Sequence, residues 1–311
     1  MNKKTLKIAT LLALGTAIIS GTNNFLAKIA VTAVKDPIVF TTLKNGIVAL
    51  LLIGIVLAFH KRSEIQTLSK KQWGKLIAIG LVGGSIPFAL FFTGLTQTTA
   101  INAALIHKTL FLWVAIMAVP ILKERITFLQ GSGIVLLFIA NIVLIGGFTG
   151  FNFNLGELMI LGATLFWAVE NIIAKIALKD LSSITVASAR MVIGSIVLLL
   201  LVFYQGNAYF FTGLTSLQWG WTLLTSVLLL GYVLTWYTAL KYAPATYVAT
   251  LLVPSILVTN ILSAIFITHT MTGNDVAAAF LFLVGLLLVL SAAKKTIQTV
   301  SEEQKIVAIQ K

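Results

Sequence analysis

Apolar residues run along the chain in long blocks separated by short polar punctuation. A helix that crosses a bilayer needs about 20 consecutive apolar residues. Ten segments approach this length: 6–31, 38–59, 73–95, 100–121, 126–147, 156–178, 184–204, 218–240, 245–268 and 276–293. The separators carry turn or charge signals, as in KDP at Lys35–Pro37, KERIT at Lys123–Thr127, KDLSS at Lys179–Ser183 and KYAP at Lys241–Pro244. Only two are long, the basic His60–Gln72 and the uncharged Gln205–Leu217. The pattern predicts an all-α polytopic membrane protein with ten transmembrane helices.

Composition agrees. The 311 residues are 59% hydrophobic and 10% charged, against about 25% charged in a soluble domain; the mean hydropathy is +1.02. The net charge of +13 sits in short loops rather than on one face, which argues for membrane topology and against nucleic acid. Ten spans put both termini on one side. The loops and ends on that side hold seventeen of the 22 Lys and Arg, the excess expected of a cytoplasmic face. The other five are Lys28, Lys35, Lys44, Lys108 and Arg190, and only Lys35 lies clearly in a loop on the opposite side. The N-terminus, with Lys3, Lys4 and Lys7 before an apolar run, has the form of a secretory signal. The run continues to Val31 and part of it recurs later, so an uncleaved first span is expected. Residues 294–311 are expected to form a partly disordered cytoplasmic tail. The absence of cysteine excludes disulfides, thiolate metal sites and thiol nucleophiles.

The chain repeats itself. LGTAIISGTNNFLAKIAV (Leu14–Val31) aligns with LGATLFWAVENIIAKIAL (Leu161–Leu178) at an offset of 147. QWG at Gln72–Gly74 recurs at Gln218–Gly220, offset 146, and Lys44 corresponds to Arg190 at the same offset. GLTQTTAINAA (Gly94–Ala104) parallels ALKYAPATYVA (Ala239–Ala249) at 145. Three separated blocks at nearly one offset indicate duplication, with units 1–148 and 155–293. Five spans per unit is an odd number, so the second unit enters the membrane from the other side. Two five-helix inverted-topology repeats are the plan of many secondary transporters, whose binding site lies near the midplane.

The segment TTAINAALIHKTLFLWVAIMAVPILKERITFLQGSGIVLLFIANIVLI (Thr98–Ile145), the junction ALKYAPATYVATLLVPSILVTNILSAIF (Ala239–Phe266) and FWAVEN (Phe166–Asn171) carry a resemblance. Together they resemble EamA-type transporters of the drug/metabolite transporter superfamily, over nearly the whole chain. The resemblance implies ten helices, cytoplasmic termini and movement of small metabolites such as amino acids. It also implies a cavity lined by helices 1, 3, 4, 6, 8 and 9, with helices 5 and 10 peripheral. Two departures stand out. The first half has His107-Lys108-Thr109 where the second has the helix proline Pro254, and the second-half turn Thr268–Asp275 lacks the Glu-Arg pair of Glu124-Arg125.

Charge inside a span is costly and usually faces protein or a wet cavity. At 1.5 Å per residue, Lys108 lies about 12 Å from the outer end of its span and Glu170 about 21 Å from the outer end of its own. A direct pair between them would need tilt. The substrate-binding candidates are Lys108 for an anionic group, Glu170 for a substrate amine or a coupling proton, and the aligned Asn23, Asn24 and Asn171. Trp167, Tyr237 and Tyr247 are candidates for an aromatic lining, to which Tyr232 and Trp236 could contribute. The structural alternatives are a charge pair or a snorkelling lysine. His107 points about 100° from Lys108 and is expected to be a packing residue. Lys44 and Arg190 are expected to snorkel or to cap carbonyls, Glu124 and Arg125 to belong to a turn, and GLVGGS (Gly80–Ser85) to let helices approach closely, with a hinge as the alternative.

The expected function is a secondary-active transporter moving a small metabolite, an amino acid or similar, across the cytoplasmic membrane by alternating access, in the direction of export. A channel or lipid scramblase is the alternative, ahead of an intramembrane enzyme. HExxH, Walker A, GxSxG and EF-hand patterns are absent from the sequence, and no cofactor, metal or catalytic residue is expected. The expected partners are the small-molecule substrate, the bilayer and a coupling proton.

Overall fold

The computed structural model describes residues 3–34, 36–59, 62–95, 97–98, 100–144, 146–147 and 154–309. It leaves out the side chains at 28, 31, 32, 92, 95, 100, 101, 104, 105, 210 and 296–309. Lys35 and Lys61, and the side chain of Lys28, therefore lie outside the described residues.

All regular structure among the described residues is helical. The first half comprises α1 (Lys3–Val34), α2 (Pro37–Ala58), α3 (Arg62–Gln66), α4 (Lys70–Gly84), α5 (Ile86–Leu95), α6 (Ala100–Lys108), α7 (Leu110–Leu122) and α8 (Phe128–Leu144). The second half comprises α9 (Leu155–Ala177), α10 (Ser183–Tyr204), α11 (Ser216–Tyr242), α12 (Ala245–Leu252), α13 (Ser255–Ser263) and α14 (Gly273–Ile309). Among the described residues, eight stretches are long and apolar enough to cross a membrane, and Ile106–Leu122 and Phe128–Leu144 are shorter apolar helices. The tail, expected to be partly disordered, continues α14 as helix to Ile309.

Local sequence explains where the helices begin. Asp36 accepts the amides of Ile38 and Val39 at 2.8 and 2.9 Å, with Pro37 supplying the preset first φ of α2. The repeated QWG block supplies the glutamine of a capping box in each half. Ser69 and Gln72 open α4, and Thr215 and Gln218 open α11.

Three of the expected spans are interrupted. Span 3 divides at Ser85 into α4 and α5, span 4 at Thr109 into α6 and α7, and span 9 at Val253–Pro254 into α12 and α13. Pro87 and Pro254 explain two of these breaks, because proline cannot donate to the carbonyl four residues back. At the third, the Thr109 hydroxyl bonds to the Ile106 carbonyl at 2.7 Å, drawing backbone capacity out of the helical ladder. The breaks after α6 and α12 lie 145 residues apart in sequence. Among the described residues, two non-glycine residues turn left-handed, Lys123 (φ 57°) and His269 (φ 52°), which are 146 apart.

α1 packs along α11 and α13, α9 along α4, α5 and α7, α10 against α2 and α4, and α8 against α14. The glycine-rich stretch behaves as expected. A Cβ at Gly84 would meet the Arg190 carbonyl oxygen and Gly194 Cα, and a Cβ at Gly194 would meet Gly84. The α4 and α10 backbones thus touch directly, as small residues permit in membranes.

Gly84→Val is expected to destabilise the protein by about 1–3 kcal/mol through overpacking. It should lower the thermal midpoint of the detergent-solubilised protein, while Gly74→Ala, where open space surrounds the added methyl, should not.

Candidate functional site

The central polar feature begins with Pro87. In an unbroken helix its amide would satisfy the Gly83 carbonyl; proline has none, so that oxygen needs other donors. It accepts from Trp167 Nε1 at 3.1 Å and from Arg190 Nη2 at 3.2 Å. Trp167 lies on α9 and Arg190 on α10, so one broken turn ties three helices together. Arg190 is 8% exposed; of the two expectations for it, carbonyl capping holds and snorkelling does not.

Glu170 lies one turn beyond Trp167 on α9 and is buried. Its carboxylate accepts the Tyr237 hydroxyl at 2.6 Å. The Arg190 guanidinium is near enough to act on the charge of Glu170. The Glu170 side chain packs onto Gly83, where any Cβ would collide with its Cγ. Charge, tyrosine and glycine thus form one buried unit between α4, α9, α10 and α11.

Lys108 has a different partner. It ends α6 at the helix break, and its Nζ donates to Ser255 Oγ at 3.4 Å, at the start of α13 beside the other break. Glu170 is thus engaged by Tyr237 and Arg190, and Lys108 by Ser255. His107 links the two regions: its ring is 4.8 Å from that of Trp167 and 5.4 Å from that of Phe91, the packing role expected of it. Lys44 is buried with its Nζ 5.2 Å from the Phe40 ring. Tyr232 and Trp236 stack at 6.0 Å.

The asparagines divide. Asn171 donates to the Trp167 carbonyl at 2.8 Å. Its side-chain oxygen, and that of Asn23, are buried with no hydrogen-bond partner. Asn24 is exposed. Tyr247 is apart from the Glu170 unit and bonds to Thr10 Oγ1 at 2.7 Å.

Sequence reasoning assigned Glu124 and Lys175 no partner. Pro244 precedes α12 and offers no side-chain cap. Glu124, from the turn between α7 and α8, does so instead. It accepts the Ala245 amide at 2.6 Å, the Thr246 amide at 3.0 Å and the Thr246 hydroxyl at 2.7 Å. On the preceding residues, Lys175 Nζ donates to the Leu240 and Ala243 carbonyls, both at 2.6 Å. The α11–α12 junction is thus held at its free carbonyls by α9 and at its free amides by the first half. A separate contact joins α9 to the α5–α6 junction: Glu157 accepts from Asn102 Nδ2 at 2.6 Å and from Thr98 Oγ1 at 3.1 Å. The KERIT turn and the repeat offsets were visible signals, but no local pattern identified what these side chains would touch.

The sequence pattern of the EamA-like transporter family matches residues 7–146 and again residues 154–291. The chain belongs to the EamA-like transporter family. Among its relatives is an "Uncharacterized transporter" of Methanothermobacter thermautotrophicus, 25% identical over 155 residues; the match spans 48% of this chain and 45% of that one. The "Uncharacterized transporter YyaM" of Bacillus subtilis is 28% identical over 218 residues, 68% of this chain and 70% of that protein. A crystal structure of a protein with 18% identity superposes with a TM-score of 0.73, covering 93% of this chain and 98% of the other, which shows a shared fold. This EamA-like chain is therefore a multi-pass membrane transporter, a role that implies a small-molecule substrate.

Glu124→Ala is expected to leave two α12 amides without their acceptor and to cost about 1–3 kcal/mol. Thermal unfolding should show the loss, and Glu124→Gln, which keeps an acceptor oxygen, should recover part of it. Equal midpoints for parent and Glu124→Ala would refute the cap.

Proposed function

We propose that this EamA-like protein is a secondary-active carrier that exports a small zwitterionic metabolite, such as an amino acid, by alternating access. In this reading the two five-helix units have inverted topology, both termini are cytoplasmic and the membrane is the cytoplasmic one. The observation that carries it is a pair of matched contacts. Thr10 meets Tyr247 at 2.7 Å, and Glu157 meets Asn102 at 2.6 Å. The offset of 147 relates Thr10 to Glu157, and the offset of 145 relates Asn102 to Tyr247. Each contact joins one half to the other. Inverted topology would set them at opposite faces of the membrane, as the two gates of an alternating-access carrier. The matched helix breaks and the matched left-handed turns support the same reading.

Between the gates, the site takes the substrate carboxylate on Lys108 and Ser255 and the substrate amine on Glu170. Trp167 and Tyr237 line it. The unpartnered oxygens of Asn23 and Asn171 are acceptors for the remaining donors, since buried polar atoms are normally satisfied. Asn24 is its exposed edge. Tyr247 moves from the lining to a gate. Glu170 exchanges its Tyr237 partner for the amine or for a coupling proton.

Counterflow in proteoliposomes loaded with unlabelled amino acids tests the carrier. Saturable uptake of label is expected in the parent, reduced at least tenfold in Lys108→Gln. Unsaturable flux would make the chain a channel instead, and an unchanged Lys108→Gln rate would remove Lys108 from the site. The absence of native cysteine permits a test of the gates. With one cysteine placed at Asn24, the rate of labelling by a membrane-impermeant maleimide should rise severalfold in Glu157→Gln and fall in Tyr247→Phe. Identical rates in all three proteins would contradict the assignment.

A further inference from the structure

Away from the polar unit, at the end of the bundle that carries the basic His60–Gln72 segment, α2, α3, α4 and α10 enclose a cavity of about 300 Å³. This is at the lower end of the range of ligand pockets, about 300–1,000 Å³. Val56, Leu76, Ala189 and Val192 form its walls, and Ile65 of α3 lines it as well. Three more lining residues, Ile53, Leu57 and Trp73, are 41%, 57% and 42% exposed. The cavity therefore communicates sideways with the bilayer rather than with the polar unit.

Two features make it more than a packing gap. Ser188 lines it, is 7% exposed, and its hydroxyl has no hydrogen-bond partner. In an apolar setting such a hydroxyl is costly unless an acceptor arrives. The second feature is charge. Arg62 lines the cavity, in a segment that also contains Lys61, Lys70 and Lys71. The one acid of that segment, Glu64, is held by the start of α10. It accepts the Ser182 amide at 2.7 Å and the Thr185 hydroxyl at 2.9 Å, pinning α3 across the start of α10. Lys75 is paired with Asp180 at 3.6 Å. Basic residues thus outnumber the acid in this segment, and the α3 strap is held in place.

The depth suits one kind of molecule. Ser188 lies six residues beyond the Ser182 cap, about 9 Å down the helix, and apolar side chains continue past it. A ligand that fits presents an anion at Arg62, an acceptor one or two turns deeper, and then a hydrocarbon chain. We propose that this cavity binds one acyl chain of an anionic membrane phospholipid, with the headgroup phosphate on Arg62 and an ester carbonyl accepting the Ser188 hydroxyl. Basic pockets between transmembrane helices are general sites for such headgroups. The site does not depend on what the protein transports.

Native mass spectrometry of the full chain tests it, with phosphatidylglycerol and phosphatidylcholine of matched acyl chains offered at equal concentration. The parent is expected to retain one phosphatidylglycerol in preference to phosphatidylcholine. Arg62→Gln should reduce that preference about fivefold. Ile65→Trp, which fills the cavity from the short α3, should abolish retention while the protein still elutes as a single species. A fold-independent check uses lipids brominated along the chain. Brominated phosphatidylglycerol should quench the emission component missing in Trp73→Phe more strongly than brominated phosphatidylcholine does. Equal retention of both lipids by the parent, retention unchanged in both variants, or displacement of the lipid by inorganic phosphate alone would overturn the proposal.

Discussion

In a bilayer the backbone finds no water, so every amide and carbonyl freed by a helix break needs a partner from the protein. Among the described residues three spans are broken and the chain also turns at the α11–α12 junction, and side chains satisfy backbone groups freed at one of those breaks and at the junction. The carbonyl that Pro87 leaves free at Gly83 is taken by Trp167 and Arg190. The amides at the start of α12 are taken by Glu124, and the carbonyls at the end of α11 by Lys175. The donors and acceptors come from distant helices. Arg190, a charge that looks anomalous inside an apolar sequence, is therefore one of the groups that hold the bundle's irregular centre together.

The same repairs concentrate chemistry. Because Arg190 is drawn inward by a carbonyl, it lies beside Glu170 and Tyr237, and a buried acid acquires a cation and a hydroxyl as neighbours. Because α6 ends at Lys108, the ammonium group stands at one helix break and reaches the serine at the other. Broken helices put polar groups near the middle of the membrane, the position a carrier needs for its substrate. The glycines matter for the same reason. Gly83 lets Glu170 pack against backbone, and Gly84 with Gly194 lets α4 and α10 approach closely enough for Arg190 to reach across.

Much of this protein was legible in its sequence because membrane insertion is governed by local properties. Apolar run length marks apolar helices, and the family pattern matches the chain twice, over 7–146 and 154–291. QWG could be read as a repeat, and its glutamines proved to be capping-box residues. The site was less legible. Lys108 and Glu170 stood out as intramembrane charges, but their depths along separate helices could not name Ser255 or Tyr237 as partners. Asn24, aligned with the buried Asn171, is exposed, since alignment between halves equates positions on a helix and not the neighbours packed against it.

The sequence alone determined the class of the protein, an all-helical polytopic membrane protein, and its family, because these follow from the cost of polarity in hydrocarbon and from the pattern of the chain itself. Only the tertiary structure decided which side chain repairs which break. A hydrogen bond between Glu124 and Ala245 or between Trp167 and Gly83 spans scores of residues. Its geometry is set by how whole helices cross, and no stretch of sequence carries that by itself.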